Sequence, residues 1–525
     1  MTKFIKSNAL LILILLLAAF FRFWKISSLP GGLFPDEAAN GLDVNSILGG
    51  QLQPFYERGN GREGLFFYFL ALSVALFGRG PWQHHLVSGL FGFAAVMVTY
   101  FLTKRLFGKN VALLAAFFMA ISSYAVTLSR TAFRANTIPF FAALSLLLLV
   151  IFFQTRNEKT RVWAAVGSGV IFALGFYTYI AFRMMVPLLA VLALILFFAH
   201  RDKLKTAFRA YGKHLFIFIA SFLVAFAPLG YYFWAHPGTF VGRAGQVSIF
   251  SNDLNQGDVA GTFIEVFKKT ILSFFTEGDL NWRHNVSGFP FLPPLVAWLF
   301  AAGLIAATLS IWYLLKDSFK KNITPQTFYL SLVALWFWFM MVPEVTTAEG
   351  IPHGLRLVGV IPAIFILPAW AGCKIWESIK NFPPIAKIRY PLIALFLAGV
   401  LFYNYQLYFK VAASSPDYYY AFRSDLTVVS SYLQARNLKN KTYLSLDKFS
   451  VQTVDYLTTE KGNPYILVDP AHTYEVRLNK GDQVVFTQST LFDRIKFLEN
   501  NARVNLARVA KNQFGEIIML VYEQQ

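Results

Sequence analysis

The chain has 525 residues, of which 56% are hydrophobic, 17% aromatic and only 14% charged. Soluble globular proteins carry about 25% charged residues, so this composition excludes an ordinary soluble protein and predicts a polytopic membrane protein. The single cysteine, Cys373, excludes a disulfide framework and a thiolate metal cluster. The formal net charge is +19, which in a soluble protein would suggest binding to nucleic acid.

Eleven apolar segments are predicted to cross the membrane as helices, because a hydrocarbon core needs about 20 helical residues. The first segment does not resemble a cleaved signal peptide, since no small-residue cleavage site follows it and Arg22 to Lys25 are typical of an interfacial anchor. The predicted fold is therefore an all-α polytopic bundle. The predicted spans are residues 8–24, 83–103, 111–128, 137–153, 162–180, 184–199, 214–234, 293–315, 326–343, 355–372 and 391–409.

The charges between these spans predict how the chain is oriented. With the N-terminus in the cytoplasm, the inside loops hold 20 Lys and Arg residues, and only four of the 16 acidic residues before residue 410 lie inside. This is the positive-inside distribution, so the net charge reflects membrane orientation and no nucleic-acid partner is expected. We predict a multi-pass protein of the cell membrane (plasma or inner membrane) whose C-terminal domain is extracytoplasmic.

The first outside loop, residues 25–82, opens with the adjacent acids Asp36 and Glu37. Residues 35–48 are predicted to form an interfacial helix with both acids in its first turn, where they could simply offset the helix dipole. A general base that deprotonates a hydroxyl or amine acceptor, or a ligand for a divalent cation, explains two carboxylates beside a membrane better.

The same loop carries Arg58, Arg62 and Glu63 in a glycine-rich stretch before a short apolar segment, residues 64–77. That segment is too short to span comfortably, so a re-entrant or surface-lying helix is predicted. Arginine forks match phosphate oxygens, and glycines allow a ligand to approach the backbone closely. Ordinary interfacial snorkelling of the arginines is the alternative.

More polar groups are predicted on the outside face. Arg130 and Arg134 are four residues apart, as on one face of a helix, with a solvated helix end as the alternative. His353 and Arg356 are three apart, so we expect both side chains to point toward a phosphate or a lipid headgroup. The irregular second outside loop, 235–292, concentrates groups that suit sugar or acceptor contacts or a structural loop network: Asp279, Arg283, His284 and Asn285.

Beyond Lys410 the composition changes to that of a small soluble α/β domain, residues 411–525. Alternating polar and apolar residues predict strands over 441–446 and 483–487, and residues 422–437 favour a helix.

The sequence gives no support for ATP-driven transport or for dinucleotide chemistry. Neither a P-loop nor a dinucleotide glycine motif opens a helix, and there is no His-Glu-x-x-His zinc signature. Charged residues do not recur inside the predicted spans, as ion-coupled transport would usually need. The polar residues gather at the outer membrane face instead, which favours chemistry at the interface.

Together these features resemble the GT-C class of integral membrane glycosyltransferases, and within it glycosyltransferase family 39, which contains protein O-mannosyltransferases and the enzymes that add aminoarabinose to lipid A. The resemblance covers about residues 8–410. The Lys-Pro-Pro pattern of the lipid A enzymes is replaced here by Arg62-Glu-Gly64, and the Trp-Trp-Asp signature of oligosaccharyltransferases is absent. The motifs that carry the resemblance are Phe34-Pro-Asp-Glu37, Gly61-Arg-Glu-Gly-Leu65, Ser129-Arg-Thr-Ala-Phe-Arg134, Gly278-Asp-Leu-Asn-Trp-Arg-His-Asn285 and Pro352-His-Gly-Leu-Arg356.

The resemblance implies an inverting transfer of a single sugar from a polyprenyl-phosphate donor to a lipid, glycan or protein acceptor at the extracytoplasmic face. Asp36 would be the catalytic base, Glu37 would orient it or contact the acceptor, and Glu63 would be a second acid of the site. No definite cofactor is implied, and a divalent metal ion near Asp36 is the one candidate. The donor phosphate would contact Arg58, Arg62, Arg130, Arg134, His353 and Arg356, and the substrates would contact Asp279, Arg283, His284 and Asn285.

Residues 1–410 would then form the GT-C catalytic domain, and residues 411–525 a separate extracytoplasmic domain. Two alternatives remain open at this point: a lipid-linked sugar flippase or other transporter, and a non-catalytic membrane scaffold. The catalytic hypothesis expects the acidic pair and the arginines to converge on one cavity.

Overall fold

The computed structural model describes residues 2–59, 61–241, 247–320, 323–436, 440–501 and 503–524. The chain packs as two units. Unit 1 comprises Met1–Trp24, Gln53–Phe66 and Val87–Val411, and unit 2 comprises Lys25–Leu52, Phe67–Leu86 and Ala412–Gln525. The C-terminal segment therefore packs with two parts of the first predicted outside loop, and the predicted domain boundary at residue 411 stays a prediction.

Helices make up most of the chain, as its composition requires. They are α1 Thr2–Phe23, α2 Pro35–Leu48, α3 Leu65–Phe77, α4 Pro81–Phe107, α5 Lys109–Ile121, α6 Ser123–Ser129, α7 Ile138–Gln154, α8 Glu158–Gly175, α9 Met185–Ala199, α10 Leu204–Ala235, α11 Gly238–Val241, α12 Asn252–Asn255, α13 Val259–Leu272, α14 Pro294–Lys320, α15 Pro325–Val345, α16 Ile361–Ile379, α17 Pro383–Gln406, α18 Pro416–Ala421, α19 Ser424–Ala435, α20 Val451–Thr458 and α21 Arg494–Asn500.

Each of the eleven predicted spans overlaps a helix or the bent pair α5–α6, and the all-α polytopic fold is confirmed. Among the described residues, however, eight helices are long and apolar enough to cross a membrane, or nine if α5 and α6 count as one bent span. The apolar part of α1, Asn8–Phe23, is short. Helix α8 has Glu158, Lys159 and Arg161 in its first turn, which lowers the hydropathy of an 18-residue helix.

The bend between α5 and α6 is 61° and falls at Ser122. A break of this kind leaves the last carbonyls of α5 without helical partners. The buried guanidinium of Arg22 in α1 donates to two of them, Met119 O at 3.2 Å and Ala120 O at 2.8 Å. A cation at this position also suits the negative end of the helix dipole, so Arg22 stabilises the broken span.

Helix α10 contains Pro228, which cannot donate a backbone hydrogen bond. Next to it, the Tyr177 hydroxyl is inserted into the helical ladder: it donates to Ala225 O at 2.8 Å and accepts from Leu229 N at 3.2 Å. The backbone carbonyl of Tyr177 accepts from Leu65 N at 3.2 Å. One tyrosine therefore ties the disturbed turn of α10 to the segment that follows Glu63.

Unit 2 contains a five-stranded mixed sheet of order β4-β3-β5-β7-β6, in which β3 is parallel to both β4 and β5. Alternate residues of β5 enter opposite cores, with Val485 among the residues around Leu426 and Val484 and Phe486 among those around Phe497. The small hairpin β1–β2 belongs to unit 1. The strands are β1 Phe55–Tyr56, β2 Arg62–Glu63, β3 Thr442–Ser445, β4 Ile466–Val468, β5 Gln483–Thr487, β6 Val504–Lys511 and β7 Ile517–Gln524.

The predicted helix over residues 35–48 and the strand over 483–487 match α2 and β5 from end to end. The short apolar segment after Glu63 forms α3, which has 13 residues. The expectation of an irregular loop over 235–292 is wrong in part, because α13 occupies Val259–Leu272. Its apolar residues are spaced as on one face of a helix and do not form a continuous apolar run.

Candidate functional site

The acidic pair lies in the first turn of α2, within unit 2, and the structure separates its two carboxylates. Asp36 is exposed, whereas Glu37 is fully buried. One oxygen of Glu37 accepts the backbone N–H of Phe34 at 2.9 Å, and the other lies 3.4 Å from Nε2 of the buried His85. Glu37 is therefore fixed at the helix N-terminus, and Asp36 is the member of the pair that can meet a ligand.

Helix α2 is held in place by the C-terminal part of unit 2. It packs on α20, and Gly41 lies so close to the Tyr456 ring that an added Cβ would come within 2.5 Å of a ring carbon. The Thr453 hydroxyl donates to Leu33 O at 2.9 Å, just before the helix begins. The position of Asp36 within this unit thus depends on residues more than 400 positions further along the chain.

Three short 3-10 turns in unit 1 carry arginines and lead directly into apolar helices. They are Arg134–Thr137 before α7, Ile180–Met184 before α9 and Arg356–Val360 before α16. The last turn packs against both of the others, so three helix starts meet at one place in the unit. Helix N-termini and guanidinium groups both attract anions. We call the three turns that carry Arg134, Arg183 and Arg356 the arginine turns.

Glu63 joins two of these arginines. Its carboxylate is buried and lies 3.0 Å from Nε of Arg134 and 3.5 Å from Nη2 of Arg183. Arg183 also donates to the carbonyl of Phe240, and its guanidinium lies 4.2 Å above the ring of that residue. Arg134 lies 5.2 Å above the Tyr179 ring. The Glu63 carboxylate therefore orients two guanidinium groups, and their combined positive charge is larger than its negative charge.

Arg183 was not predicted from the sequence, although a signal was present. It lies two residues before Met185, the first residue of α9, much as Arg134 and Arg356 lie shortly before α7 and α16. Recognising that three apolar segments each begin just after an arginine would have identified it.

Arg130 is placed differently from Arg134, and the expectation that they share one helical face is wrong. Helix α6 ends at Ser129, and Arg134 begins a separate turn. The Arg130 guanidinium is buried and donates to Phe21 O at 3.0 Å and Trp24 O at 2.8 Å, at the C-terminal end of α1. Its predicted phosphate contact stays a prediction, and these bonds give it a capping role that mirrors that of Arg22.

The remaining predicted arginines lie on and beside the β1–β2 hairpin. Arg62 is buried on β2 opposite Tyr56, and Arg58 lies in the exposed turn between the strands. The phosphate contacts predicted for Arg58 and Arg62 stay predictions. On this hairpin, Glu63 is the residue that joins two of the arginine turns.

An acid–histidine cluster adjoins the turn of Arg356. Asp279 Oδ2 lies 2.9 Å from His284 Nδ1 and accepts the Gly354 N–H at 2.7 Å, and the rings of His284 and His353 are 4.4 Å apart. Burial lowers the pKa of His284, against the opposing effect of Asp279, and burial lowers the pKa of His353 well below its usual range. Both shifts favour the neutral imidazole, which is the form that binds a metal ion.

The loop around this cluster is ordered by its own polar groups. Arg283 Nε donates to Asn281 Oδ1 at 3.0 Å, and Asn285 Nδ2 donates to Phe289 O at 2.6 Å. The Arg356 N–H donates to His353 O at 3.1 Å, so these two residues do share a turn as predicted.

The ligand atoms of Asp279, His284 and His353 lie within 4.8 Å of one another, and among the described residues this is the group of three or more that could hold a metal ion. One carboxylate and two imidazoles are typical zinc ligands. His353 Nδ1 is buried without a hydrogen-bond partner, which fits a metal ligand, whereas His284 Nδ1 already lies at hydrogen-bonding distance from Asp279. Asp36 does not belong to this group.

Residues 64–232 match the sequence profile of the family described as dolichyl-phosphate-mannose-protein mannosyltransferase. The matched range includes Arg134 and Arg183 but neither Asp36 nor Asp279. No curated protein sequence matches the chain.

Solved structures are similar over almost the whole chain. ArnT from Cupriavidus metallidurans, bound to undecaprenyl phosphate, matches over 98% of both chains at 13% identity and a TM-score of 0.59. The oligosaccharyltransferase AglB from Archaeoglobus fulgidus, in complex with an inhibitory peptide and a dolichol-phosphate, matches over 99% of this chain and 75% of its own at 11% identity and a TM-score of 0.51. A complex of the Archaeoglobus fulgidus enzyme with Zn and sulfate matches over 97% of this chain and 72% of its own at 12% identity and a TM-score of 0.50.

The chain has a GT-C fold. The resemblance drawn from the sequence motifs is thereby confirmed at the level of the fold. The chain is a multi-pass membrane protein, and its arginine turns lie at the starts of three apolar helices.

Proposed function

We propose that this GT-C protein is an inverting glycosyltransferase that moves a single sugar from a polyprenyl-phosphate donor to a lipid, glycan or protein acceptor at the extracytoplasmic face of the membrane. The observation that carries the proposal is the packing of the three turns that carry Arg134, Arg183 and Arg356, at the starts of three apolar helices. Similar structures were solved with undecaprenyl phosphate and with dolichol-phosphate, which supports the same class of donor.

The donor has a long apolar tail and a charged head, so it is most stable with its phosphate at the membrane interface. Guanidinium groups at the ends of apolar helices meet the phosphate at that depth and bind its oxygens in a fork. They also stabilise the negative charge that develops as the phosphate leaves. Arg58, Arg62 and His353 complete the proposed phosphate contacts, and Glu63 orients Arg134 and Arg183.

The transfer itself needs a base for the acceptor, and we assign this role to Asp36. The acceptor oxygen or nitrogen attacks the anomeric carbon, the bond from that carbon to the phosphate oxygen breaks, and the phosphate leaves with the bonding electrons. The acceptor proton passes to the Asp36 carboxylate, and a single displacement inverts the anomeric centre. Glu37, fixed by Phe34 N–H and His85, holds the first turn of α2 in place.

The acid–histidine loop supplies the proposed contacts to the substrates, through Asp279, Arg283, His284 and Asn285. Asp279, His284 and His353 would also hold a divalent cation, which would supply Lewis-acid charge next to the phosphate. A divalent ion near Asp36 remains a separate prediction.

We also propose an orientation of the protein in the membrane. The N-terminus would be cytoplasmic, and the arginine turns and the C-terminal domain would face outward across the cell membrane, as the positive-inside distribution predicts.

The test is transfer of radiolabelled sugar from a polyprenyl-phosphate donor to membrane extract by the purified full-length protein. Asp36→Asn removes the base while keeping the shape of the side chain, so we expect transfer to fall by about 10²- to 10⁴-fold with donor binding retained. Asp253→Asn, at an exposed acid in α12, is the control and should transfer normally.

Full activity of Asp36→Asn would show that Asp36 is not the base. Labelled donor that crosses a bilayer without forming product would indicate a flippase instead. Absence of both transfer and transport would indicate a scaffold.

A further inference from the structure

Unit 1 contains a cavity at the end of α7 that lies far from the arginine turns. A cavity of about 480 Å³ lies between the last turn of α7, the last turn of α9 with residues Arg201–Lys203, and the first turn of α15. Helix α7 begins next to Arg134 and reaches the cavity with its last residues. At about 1.5 Å per residue, its length separates the two regions by roughly 25 Å.

The cavity is lined by both apolar and polar side chains. Val150, Phe153 and Leu196 are apolar lining residues, and Gln154, Lys203 and Tyr329 are polar ones. Gln154 Nε2 donates to the Tyr329 hydroxyl at 3.0 Å, so the hydroxyl can use its own hydrogen toward a ligand. This division suits a molecule with an apolar chain and an oxygen-rich head.

The apolar wall continues onto the surface of the protein. Phe153, Leu194 and Phe197 are each about half exposed, on the helices that border the cavity. In a membrane protein such side chains contact lipid tails, so an acyl chain could enter the cavity directly from the bilayer.

The cavity lining also includes one positively and one negatively charged side chain. Lys203 and Asp202 are exposed lining residues, and Arg201 and Lys205 lie beside them. A phosphate pairs with the lysine ammonium, and a carboxylate next to it favours a head that also carries a positive charge. A dianionic polyprenyl phosphate would be opposed by the same carboxylate.

We propose that this cavity is a binding site for one zwitterionic glycerophospholipid of the phosphatidylethanolamine type. Its phosphate contacts Lys203 and the Tyr329 hydroxyl, its ammonium group is near Asp202, and one acyl chain lies along Phe153 and Leu196. The site is separate from the proposed donor site and does not depend on the glycosyltransferase assignment.

Native mass spectrometry of the full-length protein, purified in mild detergent and supplied with phosphatidylethanolamine, tests the proposal. We expect one tightly retained lipid per chain. Lys203→Glu should weaken its binding at least fivefold, because each lysine near a lipid surface contributes about 1 kcal/mol. Ala199→Phe fills the cavity from a buried lining position and should prevent retention.

Lys205→Glu is the matched control, since this exposed lysine is outside the lining. Normal retention in the control, together with loss in Lys203→Glu at an unchanged melting temperature, supports the site. Equal retention in all variants, or equal loss in both lysine variants, would show annular lipid or general charge attraction and overturn it. Preferential retention of polyprenyl phosphate over phosphatidylethanolamine would also overturn it.

Discussion

In the proposed function, Arg134, Arg183 and Arg356 at three helix starts would bind the donor phosphate. Each guanidinium is placed by a short turn rather than by a long loop, and Glu63 fixes two of them. A free arginine side chain would lose much conformational entropy on binding a ligand, whereas a held one has already lost it. The acid therefore preorganises the cations as well as offsetting part of their charge.

Arg183→Gln should reduce kcat/KM for the donor by roughly ten- to one-hundred-fold, because hydrogen bonds to a charged group contribute about 1.5–3 kcal/mol. Steady-state transfer at varied donor concentration measures the effect. Arg209→Gln, at an exposed arginine of α10, is the control. Equal kinetics of the two variants would remove Arg183 from the phosphate site.

The acid–histidine cluster yields a prediction about metal. After treatment with a chelator and titration with Zn²⁺ or Co²⁺, the purified protein should bind one ion per chain. His284→Asn removes a ligand and should weaken binding at least tenfold, whereas His472→Asn, at an exposed histidine outside the group, should not. If no ion binds the parent protein, the Asp279–His284 contact is a hydrogen bond only.

At the scale of helices and strands, the match between sequence and structure depends on how local the signal is. The helix over residues 35–48 and the strand over 483–487 are fixed by neighbouring residues, and both were predicted to the residue. The roles of Arg22 and Arg130 were not predictable, because each caps a helix about 100 residues away. The packing of Tyr456 on Gly41 is longer-range still and leaves no local pattern.

That packing gives a prediction for α2. Gly41→Ala places a Cβ within 2.5 Å of the Tyr456 ring, and overpacking of this kind costs about 1–3 kcal/mol. We expect a lower melting temperature and slower transfer, because the first turn of α2 carries Asp36. Gly399→Ala, in α17 with nothing within 4 Å of the added Cβ, should leave both unchanged or raise stability slightly. Identical behaviour of the two variants would show that α20 does not position α2.

At the scale of the whole molecule, the charge distribution predicts which regions face which side of the membrane. In a Cys373→Ser background, a cysteine at the highly exposed Phe492 should react with a membrane-impermeant maleimide in intact cells. A cysteine at exposed Lys159, in a predicted inside loop, should react only after permeabilisation. The reverse labelling pattern would invert the proposed orientation and move the arginine turns to the cytoplasmic side.

Because the three guanidinium groups of the arginine turns come from three separate apolar helices, their relative heights follow the depth and tilt at which each helix settles in the bilayer. A thicker or thinner hydrocarbon layer changes helix tilt at a small cost per ångström of mismatch. If the protein is the proposed glycosyltransferase, we therefore expect the spacing of the cations, and with it the rate of transfer, to depend on the acyl-chain length of the surrounding lipids.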